Sequence, residues 1–396
     1  MLISRLRIAA IVVLMAAGTA RAQDFEQPDA AAPGWVMTPS VAFGVTYDDN
    51  PTVATHELPA PDDTIMVVSP SLDLTYRARH TSLGLRYNGS VARYRTLDEL
   101  DSFDQGARMD LQHQVSKRVT LQFRNYFSVS PTTDDLRLTG VPFVRTGTRQ
   151  NEAIGGTTIQ ATRRTEVTGS YRFQWVEFDR PRVSTDPLLD GGVSHGLTLG
   201  AMQAVAPRVK VGGSYMYQRA LVGDIGEAFG IQNAQGEIAV QLSPTVSLAA
   251  GAGVSHLTLP EGLGSRTGPA ARIALQKSTE HAMFAVSAMR SFVAAFGVVG
   301  SMQSSEVAGS VQLPFARRRG FVRGVVAWHD SDSVIEGELG FTSVWLQTTL
   351  GYALQRWLRI EVFYSGSFQD TGVAGGRADR NRVGVQVVTL RPMRIQ

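Results

Sequence analysis

The feature that most constrains the fold is an alternation of apolar and polar residues with a period of two, which recurs from residue 35 almost to the end of the 396-residue chain. Three clear examples are VTLQFR at 119–124, VTGSYRFQW at 167–175 and LRIEVFY at 358–364. A period of two places successive side chains on opposite faces of an extended strand. The pattern therefore predicts β-strands that each have one apolar and one polar face.

Two kinds of connection separate these strands, and they alternate along the chain. Short turns are predicted at 77–81, 116–118, 163–165, 206–208, 243–245, 277–281, 316–320 and 354–357. Longer connections rich in Gly, Asp, Pro and Thr are predicted at 48–63, 96–103, 131–150, 180–190, 221–230, 259–267, 293–303, 330–336 and 369–379. Outer-membrane β-barrels have short periplasmic turns and longer extracellular loops. The spacing therefore predicts one such barrel.

The predicted fold is all-β, a single transmembrane antiparallel β-barrel of about 18 strands. A count of sixteen stays open, because Gly, Ala and Ser blur the alternation at 151–162, 230–243 and 304–314. A barrel in a membrane has no free edge, so the first strand, 35–47, should pair with the last, 380–390. A soluble β-sandwich would also alternate, but aromatic residues gathered near both strand ends favour a barrel with two interfacial girdles.

The N-terminus predicts the compartment. A basic stretch at 1–7 precedes an apolar run at 8–18, which is too short to span a bilayer, and Ala20-Arg21-Ala22 has the small-x-small form of a cleavage site. We therefore expect a signal peptide over 1–22, cleaved after Ala22, a short periplasmic segment over 23–34, and the barrel over 35–396. An even strand count places both barrel termini in the periplasm of a Gram-negative cell.

Charge and cysteine content exclude several classes of partner and site. The chain has 38 basic and 35 acidic residues, and removal of Arg5, Arg7 and Arg21 with the signal peptide leaves 35 of each. A mature chain with zero formal net charge gives no nucleic-acid signal. The chain has no cysteine, which excludes disulfides, thiolate metal sites and a lipoprotein anchor.

A barrel of this width leaves an aqueous channel unless something fills it. The alternation predicts these charged residues on the pore lining: Asp73, Arg86, Arg108, Asp110, Arg124, Arg172, Lys210, Arg359, Glu361 and Arg382. Arginines outnumber carboxylates in this set, which would favour anionic solutes. The alternative is a hydrated lumen whose charges pair across neighbouring strands and select nothing.

Two of the longer connections carry charge patterns of their own. The 131–150 connection would form a constriction if it folds into the pore, through Asp134, Asp135, Arg137, Arg145 and Arg149; folded outwards it would only cap the barrel. The 48–63 connection has an acidic pair at each end. Such pairs either bind divalent cations that bridge surface lipopolysaccharide or are solvated loop ends.

Catalysis has no support in the sequence. His329-Asp330-Ser331 resembles the His-x-Ser pair of outer-membrane phospholipase, but a histidine at the barrel rim is the simpler interpretation. The histidines show no metal-ligand spacing, and phosphate-binding and dinucleotide-binding glycine motifs are absent. We therefore predict neither an enzyme nor a cofactor.

One stretch resembles a known family. GVTYDDNP at 44–51, DTI at 63–65 and VSPSL at 68–72 are similar to the opening of the β-barrel porin 2 family, outer-membrane barrels of which some accompany exopolysaccharide synthesis and export. The resemblance implies passage of a surface polysaccharide, with outer-membrane lipid, lipopolysaccharide and periplasmic export machinery as partners. The alternatives are a general or anion-preferring nutrient porin and a structural or adhesive surface barrel. The chain departs from most such barrels by ending on 391–396 instead of an aromatic residue.

Overall fold

The computed structural model describes residues 33–58, 60–133, 144–179, 189–223, 227–260, 263–294, 296–297, 301–334, 340–371 and 376–395. The predicted cleavage site at Ala22 lies outside these residues. Among them no helix is long and apolar enough to cross a membrane. The one described helix is a single 3-10 turn at Asp98–Leu100.

The strands follow one another along the chain as long hairpins. Their bounds are β1 Gly34–Asp48, β2 Asp63–Arg77, β3 Thr81–Tyr94, β4 Ser102–Ser116, β5 Val119–Ser130, β6 Thr148–Gln160, β7 Thr165–Phe178, β8 Gly192–Ala206, β9 Val209–Val222, β10 Glu227–Ser243, β11 Val246–Thr258, β12 Ser265–Ser278, β13 Met283–Ala294, β14 Ser301–Phe315, β15 Gly320–Ser333, β16 Phe341–Gln355, β17 Leu358–Asp370, β18 Arg377–Leu390 and β19 Met393–Ile395.

The sheet closes on itself. Each strand from β1 to β18 pairs antiparallel with the next, and β1 also pairs with β18 from Ser40↔Leu390 to Asp48↔Arg382. The short β19 continues the same register along β1, at Trp35↔Ile395. The prediction of an 18-stranded barrel closed by its first and last strands is confirmed. A sixteen-stranded barrel is excluded, because β6, β10 and β14, the strands with blurred alternation, are each paired on both sides.

All eight predicted short turns lie at one end of the barrel, which we call the turn end, and the longer connections lie at the other, the loop end. The turns leave few residues unpaired, as at 117–118 and 207–208. The turn from β14 to β15 is closed by left-handed backbone at Ala316, Arg317 and Arg318, with φ between 48° and 70°. Such φ values are uncommon outside glycine, so this turn is held by the strands on either side of it.

The register separates an inner from an outer face. Residues paired across strands share a face, and one such row runs from Arg172 through Gly196, Gln218 and Ile231 to Leu257. Ile231 and Leu257 are fully buried. Among the described residues no protein covers the convex surface of the sheet, so buried strand residues and those that share their parity face the lumen. The loop end of β13 and β14, which leaves the wall, is the exception. The outer face carries exposed apolar side chains, among them Phe43, Met66 and Leu199.

Candidate functional site

The candidate site is the lumen of the barrel. All ten residues predicted to line it have the inner parity: Asp73, Arg86, Arg108, Asp110, Arg124, Arg172, Lys210, Arg359, Glu361 and Arg382. The side chains of Arg86 and Arg172 are each 56% exposed although they point into a closed barrel. As far as the described residues show, the middle of the lumen is therefore open to water and is not packed with protein.

The luminal arginines are paired with carboxylates. Arg108 and Arg124 donate from Nε to the two oxygens of Asp110 at 2.6 and 2.9 Å, and Arg86 pairs with Asp73. Arg359 and Lys210 pair with Glu361 and Glu166 at 2.5 and 3.2 Å, Arg272 pairs with Glu237, and Arg172 lies 4.0 Å from Glu152. The predicted excess of arginine is thus largely offset by carboxylates on the same strand or on one within two strands of it, and Glu152, Glu166 and Glu237 were not among the predicted residues.

One luminal arginine is placed differently. The guanidinium of Arg323 lies 5.7 Å from the centre of the Phe321 ring, and that of Arg359 lies 5.6 Å from the same ring. Arg323 makes no ion pair within the part of the chain that the structure describes, and it interacts electrostatically with Arg86 and Glu361. The turn-end half of the lumen therefore carries a local positive potential.

The hairpin of β13 and β14 leaves the barrel wall at the loop end. β12 and β13 are paired from Ser278↔Met283 up to Ala271↔Arg290 and no further, whereas β12 stays paired with β11 and β13 with β14 beyond that point. We call residues 290–294, 296–297 and 301–305 the hairpin tip. One of its faces contacts the inner side of β12, where Gly268 meets Phe292 and Gln303. Its other face packs Val293 and Met302 against Phe341 of β16. Because both faces are covered, the tip lies inside the mouth.

An apolar cluster fixes this tip in the mouth. Phe292 and Phe296 from the tip are 6% and 1% exposed and pack on inward residues of the wall, namely Val176, Ala220, Val222, Phe229, Ile231 and Leu257, with Leu259 beside them. Asp190 and Gly297 exchange backbone hydrogen bonds of 2.9 and 2.8 Å, which join the tip to the connection before β8. The tip therefore spans part of the mouth from β13 towards β8 and narrows it.

The predicted constriction in the 131–150 connection is only partly described, since Asp134, Asp135 and Arg137 lie outside the described residues. Arg145 contacts the two preceding loop-end connections: it donates to the carbonyls of Pro51 and Leu100 at 3.1 and 2.7 Å and to the Tyr94 hydroxyl at 3.2 Å. It ties three connections together. The assignment of Arg149 was wrong, because that residue has the outer parity of β6 and pairs with Glu177 and Asp179.

The connection from β3 to β4 is anchored by Asp101. The Arg93 guanidinium and the backbone N–H of Tyr94 both donate to this carboxylate, which holds the pKa of Asp101 below its usual range. Asp101 directly follows Leu100, the carbonyl that accepts from Arg145. Arg145 therefore binds the β3–β4 connection, which Asp101 holds in place.

In the acidic pairs at the ends of the 48–63 connection, the buried members Asp48 and Asp63 are neither cation ligands nor solvated ends, whereas Asp62 is exposed, as expected of a solvated end. Arg380 donates to Asp48 from Nε and Nη2 at 3.0 and 2.6 Å, and the two side chains are 4% and 0% exposed. Asp63 accepts from the backbone N–H groups of Thr96 and Leu97 at 3.0 and 2.9 Å. Both carboxylates are satisfied by the protein, so both earlier interpretations of them were wrong. Asp48 and Arg380 instead join the first strand to the last.

The histidine and serine near the rim do not form a hydrolytic pair. The Ser331 hydroxyl donates to the hydroxyl of Ser304 at 3.2 Å, and His329 Nδ1 lies 3.9 Å from a carboxylate oxygen of Glu306. Within the described ranges no three His, Asp or Glu side chains are grouped as metal ligands. Ser331 and His329 therefore do not act together as a nucleophile and its base.

The residues that shape the mouth were not predicted from the sequence. A signal was present: near the loop end, Phe229, Ile231 and Leu257 are apolar on the parity that is polar in the middle of the same strands. Apolar residues on a luminal face have to be covered by other protein. The pattern could have predicted an inserted segment, although not which segment it is.

Comparisons with known proteins give fold likeness alone. No protein-family model and no curated protein matches the chain. Its structural matches include OccAB4 of Acinetobacter baumannii, with 8% identity, 93% of this chain and 100% of that chain covered, and a TM-score of 0.46. OpdL of Pseudomonas aeruginosa is 12% identical, with 91% of this chain and 99% of that chain covered and a TM-score of 0.43. OpdQ of the same organism is 9% identical, with 91% of this chain and 98% of that chain covered and a TM-score of 0.46. Likeness at this level assigns neither a family nor a substrate. The resemblance of 44–51 to the β-barrel porin 2 family stays a prediction.

Proposed function

We propose that this chain is an outer-membrane channel through which small polar solutes diffuse passively. The observation that carries the proposal is the lumen itself, in which charged side chains such as those of Arg86 and Arg172 stay more than half exposed within a closed barrel. An 18-stranded barrel is wide enough to hold a water-filled passage. The pairing of most luminal arginines with carboxylates favours a general channel over a strongly anion-selective one.

The outer face supports the membrane location. Its exposed side chains include Val362, Leu350 and Leu199 in the middle of their strands, with Trp357 at the turn end and Trp328 towards the loop end. An apolar band between two aromatic girdles is the arrangement that a lipid bilayer stabilises. Outer-membrane barrels have short periplasmic turns and longer extracellular loops, which supports a periplasmic turn end and an extracellular loop end. The start of β1 and the end of β18 would then both lie on the periplasmic side.

The same mouth argues against passage of a polysaccharide. Phe292 and Phe296 lie inside the mouth with their tip hydrogen-bonded to Asp190, and Arg145 ties together three further connections. A polymer chain needs a continuous wide path, and the apolar cluster offers its hydroxyls no hydrogen-bond partner. Polysaccharide export, with its periplasmic machinery, rests on the resemblance of 44–51 alone and is the second candidate.

A liposome swelling assay tests the proposal. Purified barrel reconstituted with an entrapped dextran should admit pentoses and hexoses quickly and trisaccharides slowly, because the tip narrows the mouth. Liposomes made with heat-unfolded protein are the control for leakage. Equal impermeability to all sugars, with folded barrel demonstrably inserted, would refute passive diffusion; rapid passage of long oligosaccharides would favour the polysaccharide candidate.

Truncation of the two tip phenylalanines should widen the mouth. The Phe292→Ala/Phe296→Ala variant loses the aromatic side chains that pack the tip on Leu257 and Phe229, so the swelling rate with trisaccharides should rise towards the rate with hexoses. Phe43→Ala is the matched control, since Phe43 is 55% exposed on the outer face and cannot affect the mouth. An unchanged ratio of trisaccharide to hexose rates in a folded double variant would contradict the assignment of the tip as the constriction.

A further inference from the structure

A cleft lies where β12 and the hairpin tip separate. Its volume is about 380 Å³, and it lies between the inner side of β12 and the face of the tip that carries Phe292 and Gln303. Gly268 makes this overlap possible, because a Cβ atom there would stand 3.2 Å from Cζ of Phe292 and 3.3 Å from Nε2 of Gln303. The volume falls in the range of small-molecule sites.

The cleft has an unbalanced charge. Arg266 of β12 and Arg290 of β13 line it from opposite sides, and Asp332 of β15 supplies the only described carboxylate of the lining. Neither arginine makes an ion pair or a side-chain hydrogen bond within the described part of the chain, in contrast to Arg108, Arg124 and Arg359 in the lumen. With two arginines and one aspartate, the described lining carries a formal charge of +1, which favours an anion.

The chemistry of the lining indicates the class of ligand. Guanidinium groups donate two parallel hydrogen bonds to carboxylate and phosphate oxygens, and Gln303 adds a neutral amide. Phe292 forms an apolar floor that would contact the carbon part of an organic ligand. We propose that this cleft binds a small soluble anion, a carboxylate or a phosphate ester, between Arg266 and Arg290 at the loop end of the barrel.

Phosphate groups of lipopolysaccharide have the same chemistry. They could also reach the cleft, because it lies at the loop end of the barrel. Two features favour the soluble anion. The cleft is bounded on both sides by protein, and the tip that forms one side also forms the mouth of the lumen. A solute held there would be next to the entrance of the passage. This inference concerns binding only and stands whether or not the barrel conducts.

Calorimetric titration of the folded, detergent-solubilised barrel with inorganic phosphate at low salt tests the proposal. The Arg266→Gln/Arg290→Gln variant should bind at least about tenfold more weakly, because charge-assisted hydrogen bonds are lost. Asp332→Asn should bind more tightly, because a nearby negative charge is removed. Arg317→Gln/Arg318→Gln, in the β14–β15 turn at the opposite end, should equal the wild type.

The outcomes separate the two sources of phosphate. Weaker binding in the double variant together with tighter binding in Asp332→Asn supports the proposal. If the double variant does not fold, Asp332→Asn, which keeps both arginines, still tests the proposal by its phosphate affinity. Phosphate binding that is the same in all four proteins overturns it. The second measurement is the phosphorus content of barrel purified from native membranes. If lipopolysaccharide is retained only when Arg266 and Arg290 are present, and free phosphate does not bind, the proposal is overturned and the cleft is a lipid site.

Discussion

Arg380→Met should destabilise the barrel by about 3 to 5 kcal/mol, because it leaves the carboxylate of Asp48 buried without its counter-charge. The wild-type pair is bidentate, since Arg380 donates from Nε to Oδ1 of Asp48 at 3.2 Å and from Nη2 to Oδ2 at 2.6 Å, and Asp48 has no exposed surface. The pair also lies on the only strand junction that joins distant parts of the described chain, β1 with β18. Loss of the pair should therefore weaken closure of the barrel and not merely one connection.

Equilibrium unfolding in urea, followed by tryptophan fluorescence in lipid or detergent, measures this effect. Arg377→Met is the matched control, because Arg377 lies 3.8 Å from Asp370 in a pair whose side chains are 55% and 39% exposed. Exposed pairs contribute about 1 kcal/mol or less. The double variant Asp48→Leu/Arg380→Met removes both charges and should recover much of the loss. Equal destabilisation by Arg380→Met and Arg377→Met would contradict the role assigned to the buried pair.

Leu199→Arg should cost about 2 to 4 kcal/mol in a lipid bilayer, because it places a charge on the outer face near the membrane midplane. Leu199 lies at the centre of β8, is 50% exposed and pairs with Gly169 and Tyr215. Thr198→Arg, one residue earlier, places the same charge in the hydrated lumen and should cost far less.

Folding efficiency into lipid vesicles, scored by heat-modifiable migration on gels and by urea unfolding, compares the two variants. The comparison tests the effect of the face alone, since both variants introduce arginine at nearly the same height in the barrel. If Thr198→Arg were as damaging as Leu199→Arg, the assignment of inner and outer faces would be wrong.

The strand framework could be predicted from sequence because a period of two is a local property. It predicted every short turn, the count of eighteen and the pairing of 35–47 with 380–390. Strand ends were less accurate at the loop end. β10 begins at Glu227, inside the predicted 221–230 connection. The prediction failed there because the inward residue Phe229 is apolar and is covered by the hairpin tip, so the start of the strand lacks the alternation of a half-exposed strand.

The mouth could not be predicted, because its contacts depend on which strands and connections lie side by side in the closed barrel. Asp48 and Arg380 are separated by 332 positions, and Arg145 reaches Pro51 from 94 positions away. The hairpin tip is buried on both faces, so 293–303 shows no period of two and reads as an ordinary connection. Likewise, the charge balance of the lumen depends on register between strands, which brings Glu166 to Lys210 and Glu237 to Arg272.

Single-channel conductance in planar bilayers tests most directly the claim that a water-filled lumen is narrowed by the hairpin tip. Wild-type barrel should insert with discrete, ohmic current steps, and the Phe292→Ala/Phe296→Ala variant should give larger steps under the same salt, because both side chains anchor the tip that narrows the mouth. Phe43→Ala should match the wild type. Folded wild-type barrel that inserts without conducting, or equal steps from the wild type and the double variant, would contradict the account.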